Sequence, residues 1–229
     1  AGAAVGAERA LEEALKEAGL ERGDLDAMVT TGYGRTAISE GDKSITEITC
    51  HARGAHFLDP SVRTVIDIGG QDSKVIRLDE NGAVINFVMN DKCAAGTGRF
   101  LEMMARTMEM SLDEMSRMGL KYKEDITISS MCTVFAESEI VSLLAKGADK
   151  GDIALGIINS ICRRTSFFAQ KLNLTGEIFF SGGLARFEIF RSTMESYLKI
   201  PVRTSELSQY AGAIGAAVIG FNKAKRMQA

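Results

Sequence analysis

At 229 residues, with 45% hydrophobic and 25% charged side chains, the chain can build one large or two small domains with a proper core. A net charge of −3, from 27 basic and 30 acidic residues, excludes the Lys/Arg excess of a nucleic-acid-binding face. No apolar run approaches the ~18 residues of a membrane span, and the first residues lack the basic flank of a signal peptide, so the expectation is a cytoplasmic protein with neither membrane nor nucleic-acid partner.

The chain opens with an amphipathic helix over 7–19, with Leu11, Ala14, Leu15 and Ala18 on one face and Gly19 closing it. A strand is predicted over 26–31, stopped by Gly32-Tyr33-Gly34, and a helix over 46–57 before Pro60. Residues 64–68 read as a buried strand, Gly69-Gly70-Gln71-Asp72 as a tight turn and 73–78 as the returning strand. Asn81-Gly82 turns the chain again into a strand over 84–89. Helices follow at 97–109 and 111–118, a strand at 125–130, and helices at 134–146 and 151–173. The strand 177–180 ends at Ser181-Gly182-Gly183-Leu184, with a helix from about residue 185. A short strand at 202–204 precedes a last helix over 208–224, closely packed through Gly212, Gly215 and Ala216. The fold class is α/β throughout.

Asp67-Ile68-Gly69-Gly70-Gln71-Asp72-Ser73-Lys74 joins two strands through glycines, whose amides can cradle a phosphate with no Cβ in the way. Asp67 and Asp72 are oxygen donors suited to Mg²⁺, directly or through water, and Gln71 could orient an attacking water. The Ser181-Gly182-Gly183 turn between strand and helix can admit an adenosine. Each element alone is also a common structural turn. Neither a Walker A loop nor a dinucleotide fingerprint occurs.

Four cysteines without a CxxC pair, alongside two histidines, support neither a disulfide scaffold nor a zinc ribbon. Cys50 and Cys162 lie in helical patterns and read as core residues. Cys93 and Cys132 are different, each in a polar or Gly-rich turn leading into a helix. A helix N-terminus favours an anion and a thiolate, which suits ligands of an electron-rich metal cluster. Two such thiolates are half of the four that an Fe–S cluster takes.

Together, VIDIGGQDSKVI (65–76), NDKCAAGTGRFLE (90–102), SSMCTVFAESEIVS (129–142), the SGG turn (181–183), QYAGAIGAA (209–217) and Thr31-Gly32-Tyr33-Gly34-Arg35 resemble the activator (component A) of 2-hydroxyacyl-CoA dehydratases and its benzoyl-CoA reductase relatives. The resemblance spans essentially the whole chain. It implies the two-domain actin-like fold of acetate and sugar kinases, chaperone ATPases and actin, with ATP/ADP and Mg²⁺ between the domains. It also implies a homodimer sharing one [4Fe–4S] cluster, ligated by Cys93 and Cys132 of each chain. Asp67, Gln71 and Asp72 would serve hydrolysis. Gly69, Gly70, Lys74, Glu137, Ser181, Gly182, Gly183 and Gln209 would bind the nucleotide. Gly96, Thr97 and Gly98, also placed among the cofactor-binding residues, would form one hinge segment and Gly212 to Gly215 another.

The partners implied are the dehydratase (component D) or a related reductase, with ferredoxin or flavodoxin as electron source. The domains would comprise residues 1–62 with 208–229, and residues 63–207. No first Asp-x-Gly-Ser/Thr phosphate loop occurs, so the resemblance implies a first domain truncated by at least a hairpin, with an open sheet edge and weakened ATP turnover. A sugar or acid kinase of the same fold, a non-hydrolytic Fe–S redox sensor, and a monomer gathering Cys50, Cys93, Cys132 and Cys162 around one metal are the alternatives.

Overall fold

The computed structural model describes residues 2–38, 41–91, 93–128 and 132–227. Helix α1 (Ala3–Ala18) ends where Gly19, at φ 67°, donates its N–H to the carbonyls of Leu15 and Lys16. Strands β1 (Val29–Thr30) and β2 (Lys43–Ser44) form a short parallel pair. The strand expected over 26–31 is thus shorter, because its partner offers only two residues, and β2 has no apolar run to announce it. Helix α2 (Glu47–Leu58) is capped by Thr46, whose hydroxyl accepts from the Thr49 N–H.

The main sheet is built from β3 (Val62–Ile68), β4 (Ser73–Leu78), β5 (Val84–Asn90), β6 (Glu177–Ser181) and β7 (Val202–Arg203), in the order β5-β4-β3-β6-β7. The first three strands run antiparallel as a meander, and β6 and β7 add parallel to β3. Ile66, Ile68, Val75, Ile178 and Phe180 face one core, while Val65, Ile76, Leu78 and Phe179 face the other. The strict alternation is the pleat itself, with helices covering both faces.

The larger core takes in α3 (Gly98–Thr107), α4 (Leu112–Gly119), α5 (Thr133–Ala145), the long α6 (Lys150–Gln170) and α7 (Glu188–Leu198). A 3₁₀ turn over Gly183–Arg186 precedes α7, so the helix expected from residue 185 begins three residues later. The strand expected at 125–130 does not form over 125–128, and 129–130 lie outside the described residues. Its apolar alternation serves α6 instead: Ile128 is buried, and the Ile126 carbonyl lies where a Cβ on Gly156 would stand 2.5 Å away.

On the opposite face α2 crosses α8 (Ala211–Met227), whose first turn follows a 3₁₀ turn over Ser208–Tyr210. A Cβ on Gly54 would sit 1.8 Å from the Ala211 carbonyl oxygen, and one on Gly215 would sit 1.8 Å from that of Cys50. Both obstacles are backbone, so neither can swing aside. Gly215→Ala is expected to cost about 3 kcal/mol or more, which in a chain of this size lowers Tm by roughly 6–12 °C. Gly6→Ala on exposed α1, where a Cβ meets nothing, is expected to be neutral or slightly stabilising in the same melt.

Candidate nucleotide site and cysteine segments

The register of three strands assembles the site. Asp67 pairs with Lys74 on β4 and with Ser181 on β6, near the carboxyl ends of β3 and β6. Side chains two apart share a face, so these three project with Val65, Ile76 and Phe179 towards α2. In open α/β sheets the crevice beyond such strand ends is where ligands bind.

Asp67 is 2% exposed, and both of its oxygens are engaged. Oδ1 accepts from Ser181 Oγ at 2.8 Å and lies 3.3 Å from His51 Nδ1; Oδ2 accepts from Lys74 Nζ at 3.2 Å. Lys74 Nζ also donates to Asp72 Oδ1 at 2.6 Å. Burial alone would raise the Asp67 pKa; the charges on His51 and Lys74 and the bonds from Ser181 and Lys74 outweigh it and hold the carboxyl below its ordinary range. Burial likewise works against the Lys74 ammonium, and Asp67 and Asp72 reverse that, raising its pKa. The cluster is a carboxylate pair sharing one buried ammonium at the base of the hairpin.

The turn above it presents open backbone. The Gly69 N–H bonds back to the Asp72 carbonyl at 2.9 Å, leaving Gly70 and Gln71 exposed at the tip. A Cβ on Gly70 or Gly183 would meet nothing within 4 Å, so both backbones face open space. Gly182 adopts φ +89°, and a Cβ there would lie 2.3 Å from the Ile68 carbonyl. This position takes only glycine. Gln209 is exposed in the turn before α8, while Glu137 sits on α5 and accepts from Thr107 Oγ1 at 3.3 Å, a contact to α3 and not to the hairpin.

Cys93 follows β5 and is half-buried, its segment strapped down by Asn90, whose Nδ2 donates to the carbonyls of Cys93 and Ala95. Gly96, at φ +92°, turns the chain, and buried Thr97 closes the loop on the Ala94 carbonyl. Helix α3 starts at Gly98, five residues after Cys93 and one later than the expected 97, with this turn between them. The N–H groups of Gly98 and Arg99 then donate to the carbonyls of Gly69 and Gly70 at 2.8 and 2.9 Å. The cysteine segment is clasped to the hairpin tip.

Cys132 is exposed and stands at the N-cap of α5, making no cap hydrogen bond. Ser129, Ser130 and Met131 of its motif, like Lys92, lie outside the described residues. Cys50 and Cys162 are fully buried within α2 and α6, and burial pushes both thiols up. Among the described residues no group of three or more His, Cys, Asp and Glu could hold a metal, so the single-chain four-cysteine arrangement is not built.

The family described as the BadF/BadG/BcrA/BcrD ATPase family matches residues 2–220. The chain belongs to that family. It is 45% identical over 223 residues to the (R)-2-hydroxyglutaryl-CoA dehydratase activating ATPase of Acidaminococcus fermentans, covering 96% of this chain and 85% of that protein. It is 43% identical, also over 223 residues, to the 2-hydroxyisocaproyl-CoA dehydratase activator of Clostridioides difficile, covering 97% of this chain and 84% of that one. The structure of the latter activator with bound ADPNP superposes with a TM-score of 0.95 at 42% identity, covering 99% and 85% of the two chains. The fold is the actin-like ATPase fold.

One residue of this candidate site escaped the sequence. His51 reaches from α2 to Asp67 and to Ser181 Oγ, both at 3.3 Å. Its signal was faint: it stands three and four residues before Gly54 and Ala55, on the stripe that α2 buries. No helix is long and apolar enough to cross a membrane, among the described residues.

Proposed function

We propose that this ATPase is the ATP-driven one-electron activator of a 2-hydroxyacyl-CoA dehydratase or a related CoA-ester reductase. The observation that carries the reading is the pair of accessible cysteines, one of them on a segment hydrogen-bonded to the nucleotide hairpin. A [4Fe–4S] cluster, held by Cys93 and Cys132 of each of two chains, would supply an electron at low potential. The donor set fits: both thiols are reachable and one chain offers half the ligands, while the buried pair offers none. Val134 and Phe135, each 66% exposed, flank Cys132 with apolar surface suited to a homodimer seam.

In this reading the amides of Gly70 and Gly183 take the phosphates and the nucleoside, the Gly69 N–H closes the turn on Asp72, and Gln71 orients the attacking water. Asp67 and Asp72 are the residues that would hold Mg²⁺, which would supply charge for the phosphates, and Ser181 and Lys74 keep the Asp67 carboxylate oriented. A shift of the hairpin tip on hydrolysis pulls directly on Gly98 and Arg99, hence on the Cys93 loop. The moving bodies are residues 1–62 with 208–229 against 63–207. Relatives named for dehydratase activation support the partner class, and ferredoxin or flavodoxin is the proposed electron source, in the cytoplasm.

Anaerobic mass and iron analysis tests this. The expected result is one four-iron cluster per two chains, with visible absorbance that bleaches in air within minutes. A full cluster on single chains, or colour that persists for hours in air, would overturn it.

A further inference from the structure

His51 belongs to neither cysteine segment nor phosphate hairpin, yet it touches the parts on which ATP hydrolysis depends. Its ring hangs from α2 one turn before Gly54, at the crossing where α2 and α8 meet backbone to backbone. On one side a Cβ on Gly212 would stand 2.9 Å from its Nε2. On the other, Nδ1 faces Asp67 Oδ1 and Ser181 Oγ, each at 3.3 Å.

The hydrogen-bond inventory places a hydrogen on Nδ1. An ionised Asp67 can only accept, and Ser181 spends its proton on Asp67 Oδ1. Nδ1 therefore carries the hydrogen. The Nδ1–H so placed donates to Ser181 Oγ, whose own hydrogen goes to Asp67 Oδ1, so His51 holds the serine that, together with Lys74 on Oδ2, fixes the carboxylate. Lys74, Asp72 and His51 are the titratable groups around Asp67: two carboxylates face one ammonium, so a further donor beside Asp67 is favoured electrostatically.

We propose that His51 is a positioning residue for ATP hydrolysis, which orients Asp67 through the Ser181 hydroxyl and ties the nucleotide hairpin to the α2–α8 crossing. The inference rests on the assignment of Asp67 to hydrolysis. Its consequence is mechanical as well as chemical. Since α2 and α8 cannot slide where Gly54 and Gly215 interlock, the imidazole gives a displacement of Asp67 and Ser181 a polar link to that crossing, beside the apolar packing of α2 on the sheet.

The test compares His51→Leu, which keeps bulk and removes the donor, with His51→Asn, whose amide N–H can stand near the Nδ1 position. Steady-state ATPase should show kcat lowered about 10- to 100-fold in His51→Leu, with KM changed less than about 3-fold, the pattern of a misoriented group. His51→Asn should recover most of kcat. Loss in both variants, or in neither, overturns the proposal. Should His51→Leu not fold, nitrogen NMR of the unsubstituted protein decides, since the chain has only two histidines, His51 and His56. A hydrogen on Nδ1 is expected, and a bare Nδ1 overturns the proposal. Asp67→Asn separates the two failures. If it hydrolyses ATP at the normal rate, the assignment of Asp67 is wrong. If it does not while His51→Leu does, only the role of His51 is.

Discussion

Asp67→Asn is expected to lower ATP turnover by about 100-fold or more, the scale on which preorganised charge acts in an active site. Asparagine keeps the shape and can still accept from Ser181, so the change is chiefly one of charge. Lys74 would then answer to Asp72 alone, in a pocket where it is 3% exposed. Breaking a buried pair from one side costs about 3–5 kcal/mol when no partner remains; Asp72 at 2.6 Å keeps the cost below that range. The variant should fold, melt a few degrees lower, and hydrolyse poorly at temperatures where it is intact. Unimpaired turnover would remove Asp67 from the chemistry.

A second readout follows from the sign of the shift. The Asp67 pKa is held down in the folded chain, so the carboxylate contributes its full stability above the ordinary carboxylate range and loses it as pH falls through the folded value. Acid unfolding of Asp67→Asn should accordingly have the shallower pH dependence. Agreement between turnover and acid profile would place the charge, and not merely the side chain's volume, at the centre of the site.

The hairpin was legible because its signals are local: alternating β-branched residues, glycines at the first turn and Asn81-Gly82 at the second, all within 27 residues of sequence, 64 to 90. What joins Asp67 to Ser181 is not local. Their strands lie side by side across 114 positions of chain, and nothing in either segment states the register that aligns them. His51 was hidden for the same reason, since its partners come from β3 and β6 and its own helix announces only a buried stripe. The region 125–128 misled in the opposite sense. Its apolar alternation is the pattern of a strand, but the surface that takes it is α6, opened by Gly156 and fixed by Asp152, which accepts the N–H groups of Lys123 and Glu124. Period-two patterning identifies one buried face, and a helix can supply the cover as well as a sheet can.

The same distinction between local pattern and tertiary surroundings separates the four cysteines, and substitution should divide them cleanly. Cys93→Ala and Cys132→Ala are each expected to yield folded protein purified anaerobically with essentially no iron. In a site shared across a two-fold axis, one substitution removes two of the four thiolates at once, so a single change is as severe as a double change would be in one chain. Cys50→Ala and Cys162→Ala are expected to keep their iron and lose stability instead, on the order of 1 kcal/mol each for the small cavity left behind. Both are fully buried, and Cys162 Sγ lies 3.7 Å from the Phe190 carbonyl with no route to a cluster. Iron retained at the normal level in either Cys93→Ala or Cys132→Ala would end the shared-cluster reading. Iron lost from Cys162→Ala with the fold intact would show instead that the buried thiol, and not the helix-start pair alone, holds the metal.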